Sequence, residues 1–140
     1  MATDPGCVFD RILAGEVSAH WVLDEDNVAA FLDIRPVFKG HTLVVPREHI
    51  ESLADLTEGL LGELTDAARR VAGAQRKALG SDGTLIMLND VISQSVPHVH
   101  VHVIPRRRKD GLRGFMWPRT RYESEEEAEE FATSIRDAAS

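Results

Sequence analysis

Apolar side chains at Val8, Phe9, Ile12 and Leu13 fall on one side of a helix, and the pattern stops at Gly15, so a short helix is predicted there. Ala19–Leu23 and Val28–Leu32 are β-prone runs separated by the polar stretch Asp24-Glu25-Asp26-Asn27, which predicts an antiparallel hairpin closed at Asp33. His41–Val45 is a third strand, ended by Pro46, which has no N–H to give a ladder. From Leu56 to Leu79 the apolar residues Leu60, Leu61, Leu64, Ala67, Ala68, Val71, Ala72 and Ala78 recur at spacings of three and four. This is one long amphipathic helix, with Thr57 as N-cap and Gly80 as terminator. Two more strands, Thr84–Leu88 and Val99–Ile104, bracket a short loop. A last helix from Ser124 to Ala138 carries Ala128, Phe131, Ala132 and Ile135 behind the acidic first turn Glu125-Glu126-Glu127, which suits the positive end of its dipole. Five strands around one long crossover helix predict a single α+β domain with a mostly antiparallel sheet and short terminal helices.

Composition narrows the function. A formal charge of −7 argues against a duplex-binding or membrane-surface role, because both need a basic footprint; any phosphate ligand is expected to be a small molecule. The lone cysteine, Cys7, has no internal disulfide partner, and the start Met-Ala-Thr-Asp-Pro-Gly carries no basic, apolar leader, so a cytoplasmic location is expected. Arg106-Arg107-Arg108-Lys109 forms a basic run after the last strand, read first as a solvated turn and second as an attractor of anionic substrate.

The segment Pro97-His98-Val99-His100-Val101-His102-Val103-Ile104 carries the chemistry. In a strand alternate side chains share a face, so His98, His100 and His102 lie on one side and the valines anchor the other to the core. Three readings compete. The histidines could simply face solvent. They could hold a metal, but at about 3.3 Å per residue the outer two α-carbons lie about 13 Å apart, too far for one tetrahedral ion to gather all three. They could act as nucleophile or acid–base, since an imidazole titrating near 6.5 is largely a free base at neutral pH, and phosphorus is its natural electrophile.

His98–Ile104 resembles the signature of the histidine triad family. The resemblance continues upstream in Phe9-Asp10-Arg11-Ile12 with Gly15-Glu16, in Phe31-Leu32-Asp33-Ile34-Arg35-Pro36, and in His41-Thr42-Leu43-Val44-Val45-Pro46-Arg47-Glu48-His49, spanning Cys7 to Pro105 in matching order, with 106–140 as a C-terminal extension. It implies a homodimeric nucleotide hydrolase or transferase acting at the α-phosphate of purine nucleotide derivatives, either phosphoramidates or dinucleoside polyphosphates. His100 corresponds to the nucleophile that forms a nucleotidyl-histidine intermediate. His102 and His41 would line the phosphate pocket, and the His98 carbonyl would orient the ring of His100. Asp33 corresponds to the ribose binder, Asn89, Gln94 and Ser95 to polar contacts around the phosphate, and Ile12, Phe31 and Ile34 to an apolar slot for the base. For these three apolar residues a plain core role is the competing reading. A nucleotide-binding sensor with little catalysis is the alternative from another class.

Two departures from the family pattern matter. The residues between Asn89 and Gln94, Asp90-Val91-Ile92-Ser93, are fewer than is common and lack glycine. Zinc-binding members resemble the start of the chain with two cysteines, completed by histidines at the positions of His49 and His98. Here Asp10 replaces one thiolate, so Cys7, Asp10, His49 and His98 make a weaker candidate site for structural zinc, and Cys7 has a second reading as a small buried residue. Catalysis by imidazole is expected to need no metal. Trp117, Pro118 and Arg119 are candidate substrate contacts in the extension.

Overall fold

The structure is a computed structural model that describes residues 1–112 and 118–139; Trp117 lies outside the described residues. The chain separates into two compact units, residues 1–110 and 111–140. In the first, helix α1 (Val8–Leu13) leads into strands β1 (Trp21–Asp24), β2 (Val28–Leu32) and β3 (Thr42–Pro46). A 3-10 turn (Leu53–Asp55) and the long helix α2 (Glu58–Leu79) follow, then β4 (Gly83–Met87) and β5 (Val101–Arg106). The second unit contains helix α3 (Glu125–Ala139). Among the described residues no helix is long and apolar enough to cross a membrane.

The five strands form one sheet in the order β1-β2-β3-β5-β4, with every neighbouring pair antiparallel. α2 starts where the Thr57 hydroxyl accepts the Leu60 N–H at 3.1 Å, and it ends at Gly80, whose φ of +67° closes the last turn in the left-handed conformation that glycine adopts most readily. Its inward stripe, Leu64, Ala67, Ala68 and Val71, packs on Val28, Ala30, Val44, Val101 and Val103, the alternate residues of three central strands. The other residues of β2 and β3, Ala29, Phe31, Leu43 and Val45, turn to the opposite face and meet Cys7, Phe9 and Ile12. Helices on both faces explain why β2 and β3 read as continuous apolar runs instead of an alternation.

The strand bounds differ from the sequence reading at several ends. β1 begins at Trp21 instead of Ala19, with an irregularity in the pairing between Trp21 and Leu23. β4 starts one residue earlier, at Gly83, and its connection to β5 is longer than expected. β5 begins at Val101 and runs to Arg106, because the main chain just before it pairs elsewhere: the Val99 N–H donates to the Ile50 carbonyl at 2.7 Å, outside the β3 ladder. Pro105 is tolerated inside β5 because pairing with β3 has already ended at Val103.

Candidate functional site

The pairing of Leu43 with His102 and of Val44 with Val101 sets which face each residue of β5 occupies. Val101 and Val103 are locked under α2, so the intervening imidazole faces the α1 side. His98 is fully enclosed, His100 is buried and His102 is half-buried, a gradient from the base of the segment toward the sheet. Phe9 of α1 meets the rings of His98 and His100 edge-on, with centroids 5.8 and 5.0 Å away. The sequence reading places Phe9 on the first helix and in the segment Phe9-Asp10-Arg11-Ile12 but gives it no role in the site; in the fold it packs edge-on against two imidazoles.

Hydrogen bonds then assign the protons. His100 Nδ1 lies 2.7 Å from the carbonyl oxygen of His98, and since a carbonyl can only accept, Nδ1 carries the proton and the lone pair of a neutral ring sits on Nε2. Burial holds His100 below the ordinary imidazole pKa, with the His98 carbonyl and Asp33 acting in the opposite direction. His41 and His102 face each other, Nε2 to Nδ1, at 3.0 Å, and the Val37 main-chain N–H donates to His41 Nδ1 at 3.1 Å. Burial lowers both; His102, with His100 and His41 beside it, is pushed down to about 4. The site therefore holds neutral imidazoles at neutral pH, one of them with an uncommitted lone pair.

His100 and His102 open onto a cleft of about 310 Å³, whereas His41 and His98 are not among its lining residues. Phe9 and Ile12 of α1 and Phe31 of β2 give it apolar walls, and Asp33, Ile34, Ser95 and Val96 also line it. Ile12 and Phe31 are buried and belong to the core as well as to the cleft wall, whereas Ile34 is 85 % exposed and so has no core role. Asp33 Oδ1 accepts the Arg35 N–H at 2.8 Å, and Oδ2 stands 3.7 Å from His41 Nε2. The structure thus gathers His100, His102, Asp33, Ser95, Ile12, Phe31 and Ile34 around one cavity. Asn89 and Gln94 are not among its lining residues, and the Gln94 amide donates instead to the Glu51 carbonyl. Ser18 and Arg35 also line the cleft; Arg35 stands in the Phe31–Pro36 block without a role assigned to it there, and Ser18 lies in no motif.

A second cluster lies at the buried end of the histidine row. One donor atom each from Cys7, Asp10, His49 and His98 falls within 4.8 Å of the other three. His98 Nε2 donates to the Pro46 carbonyl at 2.8 Å, which leaves the Nδ1 lone pair aimed at Cys7 Sγ, 3.6 Å away, and at Asp10 Oδ1, 3.5 Å away. Burial raises the Cys7 thiol above its ordinary pKa. Asp10 Oδ1 and both ring nitrogens of His49 are buried without a well-aligned hydrogen bond, although His49 Nδ1 comes within 2.9 Å of Asp10 Oδ2. Zinc–ligand bonds of about 2.0–2.3 Å at tetrahedral angles imply donor separations of about 3.3–3.6 Å, which the distances from His98 Nδ1 to Cys7 Sγ, 3.6 Å, and to Asp10 Oδ1, 3.5 Å, match. Unsatisfied buried acceptors converging at that spacing fit a divalent cation.

Residues 14–109 match the family model described as the HIT domain. Among solved structures, a HIT family protein of Bacillus subtilis superposes with a TM-score of 0.84 at 33 % identity, covering 94 % of this chain and 96 % of that one. A zinc-bound histidine triad family protein of Mycobacterium smegmatis gives 0.72 at 34 % identity, with 96 % and 98 % coverage. The adenosine 5'-monophosphoramidase of Schizosaccharomyces pombe is 31 % identical over 114 residues, 80 % of this chain and 83 % of the relative. With the fold, the alternating histidines and the domain match in agreement, the chain belongs to the histidine triad family.

Proposed function

We propose that the protein is a nucleotide hydrolase in which His100 Nε2 attacks the α-phosphorus of a purine nucleotide derivative. The observation that carries this reading is the 2.7 Å hydrogen bond from His100 Nδ1 to the His98 carbonyl, which leaves the opposite nitrogen of a neutral ring as a nucleophile beside the cleft. In the proposed cycle an Nε2–P bond forms as the bond to the leaving group breaks, and the leaving group takes a proton. Water then cleaves the nucleotidyl-histidine and releases the nucleoside monophosphate. The base would lie against Ile12, Phe31 and Ile34, and the ribose hydroxyls would donate to Asp33. Ser95 and His102 would adjoin the phosphate, with His41 behind His102 and acting through it, and with Asn89 and Gln94 entering only if the 89–94 loop rearranges.

Among candidate substrates a phosphoramidate suits the cleft better than a dinucleoside polyphosphate. Arg35 is the one Lys or Arg among the described cleft residues, whereas a polyphosphate bridge brings several negative charges into a protein of net charge −7. The S. pombe relative, an adenosine 5'-monophosphoramidase by name, supports the same choice. Side-by-side incubation with an adenosine phosphoramidate and a diadenosine polyphosphate, reading nucleoside monophosphate release, tests it; release from neither would overturn the enzymatic reading.

One observation favours the alternative of a nucleotide-binding sensor: Gln94 is turned to Glu51, and the 89–94 loop carries Val91 and Ser93 at φ of +69° and +61°, a left-handed conformation that is strained for valine. Binding with no turnover of either substrate would select it. A homodimer in the cytoplasm, without nucleic-acid or membrane partners, is the setting that the family resemblance and the acidic charge support; sedimentation at twice the chain mass tests the dimer.

For the second cluster we propose structural zinc held by Cys7, Asp10, His49 and His98, as the zinc-bound M. smegmatis neighbour and the orphaned acceptors support. The ion would neutralise a buried carboxylate and tie the start of the chain to the base of the histidine segment. No step of the proposed reaction passes through it.

A further inference from the structure

The loop 33–41 holds its shape through contacts that have no obvious bearing on a ligand. The Asp33 N–H donates to the His41 carbonyl at 2.9 Å and the His41 N–H to the Phe38 carbonyl at 3.0 Å, so the loop closes on itself. Its far end is pinned from the core: the Gln75 side chain, itself buried, donates to the carbonyls of both Gly40 and Val103 at 2.9 Å. Gly40 has φ of +99°, and a β-carbon there would stand 2.5 Å from Leu79 Cδ1, so this turn admits only glycine without rearrangement. Pro36 fixes the backbone immediately before Val37. All of this places one main-chain N–H, that of Val37, 3.1 Å from His41 Nδ1.

That contact determines the protons of two rings. A main-chain N–H only donates, so His41 Nδ1 must present a lone pair, and the single proton of the neutral ring sits on Nε2. His41 Nε2–H then has one acceptor in range, His102 Nδ1 at 3.0 Å, since Asp33 Oδ2 at 3.7 Å is too far for a hydrogen bond. His102 Nδ1 is thereby an acceptor, and its proton is on Nε2. The same logic bears on Asp33, His41 and His102 as metal ligands: their donor atoms also fall within 4.8 Å of one another. His41 Nε2 cannot offer a lone pair to a cation unless the proton moves to Nδ1, where it would collide with the Val37 N–H.

We propose that the main-chain amide of Val37 is a positioning group that fixes His41 as its Nε2–H tautomer and, through it, His102 as its Nε2–H tautomer. The cleft then meets an imidazole N–H from His102 beside the imidazole lone pair of His100, whose ring centroid lies 5.0 Å away. A donor and a nucleophile side by side are what a phosphoryl group under attack requires: the N–H is available to a phosphoryl oxygen or to the departing group. If Val37 offered no N–H, His41 could carry its proton on Nδ1 and accept from His102. The His102 Nε2 would then face the cleft as a second lone pair and repel phosphate oxygens. The catalytic consequence rests on the function proposed above; the tautomers do not.

Two-bond ¹⁵N–¹H correlation spectra of the imidazole rings in the resting, ¹⁵N-labelled protein at neutral pH read the tautomers directly. His41 and His102 should each show an unprotonated Nδ1 and a protonated Nε2, and a protonated His41 Nδ1 would overturn the proposal with no reference to activity. Incorporating the α-hydroxy analogue of valine at position 37 replaces the N–H by an ester oxygen and keeps the side chain, while Val37→Ala keeps the N–H and trims the side chain. The ester should mix or invert both tautomers and lower kcat on the phosphoramidate by on the order of 10²-fold with little change in KM. Val37→Ala should leave both tautomers and kcat as in the wild type. Wild-type tautomers in a folded ester variant would overturn the proposal, as would a loss in Val37→Ala equal to that of the ester. Should the protein release no nucleotide at all, the hydrolase reading fails and the tautomer spectra still decide the role of Val37.

Discussion

His100 and His98 are joined through the backbone of one and the ring of the other: the His98 carbonyl accepts from His100 Nδ1 at 2.7 Å, while the His98 side chain points away into the Cys7–Asp10–His49 cluster. One residue thus serves two sites with different atoms. Replacing the His98 side chain leaves its carbonyl in place, whereas replacing His100 removes the proposed nucleophile itself. His100→Ala should reduce phosphoramidate turnover by at least about 10³-fold while nucleotide affinity changes little, because the ring is needed to form a bond more than to dock a ligand. Steady-state rates together with calorimetric binding of a nucleoside monophosphate check this, and turnover near that of the wild type would remove His100 from the mechanism.

Asp33 lines the cleft with Oδ1 committed to the Arg35 N–H, and an Asn side chain can keep that acceptor. Asp33→Asn should therefore leave the loop folded while removing the charge that, in the proposed function, would accept from both ribose hydroxyls. Affinity for a ribonucleotide should fall by about 1–3 kcal/mol, and a 2′,3′-dideoxynucleotide should bind the variant and the wild type almost equally. A dideoxy ligand that binds the wild type as tightly as the ribo form would take Asp33 out of sugar recognition.

An unfolded His102 titrates near the ordinary value of about 6.5, whereas in the fold it is held down to about 4 by burial and by the neighbouring His100 and His41. Between those values the unfolded chain binds a proton that the folded chain refuses, so stability should decrease as pH falls through this window. Above the window the contribution is constant. His41, lowered by burial, acts in the same direction. Carboxylates also titrate at the acid end, so the diagnostic is a difference: the gap in melting temperature between wild type and His102→Gln should shift in favour of the variant as pH drops from 7 to 4.5. A gap independent of pH would show that His102 titrates normally in the fold.

Much of this arrangement is legible in the sequence because it rests on periodicity. Leu64, Ala67, Ala68 and Val71 mark α2, and the alternation of valine with histidine separates core from cleft without reference to any other part of the chain. The rest depends on contacts between distant segments. β5 begins at Val101 because Val99 pairs with Ile50, and no local pattern at Val99 records that partner. Gln94 carries the right chemistry for a phosphate contact, but in the fold the Glu51 carbonyl has taken its amide. The amide of Val37 is invisible in principle, since every residue but proline has one and only the closure of the loop on Gln75 aims it at His41. Phe9 was recognisable as apolar, but its position against two imidazoles follows from the placement of α1 on the sheet.

Asp10 in place of a second thiolate gives the metal its own test. A carboxylate is a legitimate zinc ligand, and the separations of His98 from Cys7 and from Asp10 suit a tetrahedral ion, but one thiolate holds zinc less firmly than two. Protein purified without chelator should carry close to one equivalent of zinc by elemental analysis, and Asp10→Cys should retain it through a chelator challenge that empties the wild type. Cys7→Ala should lose the metal and melt at lower temperature, because ion binding is coupled to folding at the start of the chain. Hydrolysis should nonetheless survive chelation in large part: the cluster lies at the buried end of the histidine segment, while His100 faces the cleft through the opposite edge of its ring. Complete loss of turnover on chelation, restored by zinc, would mean that the metal does more than hold His98 in place, and the metal-free attack by His100 would have to be abandoned.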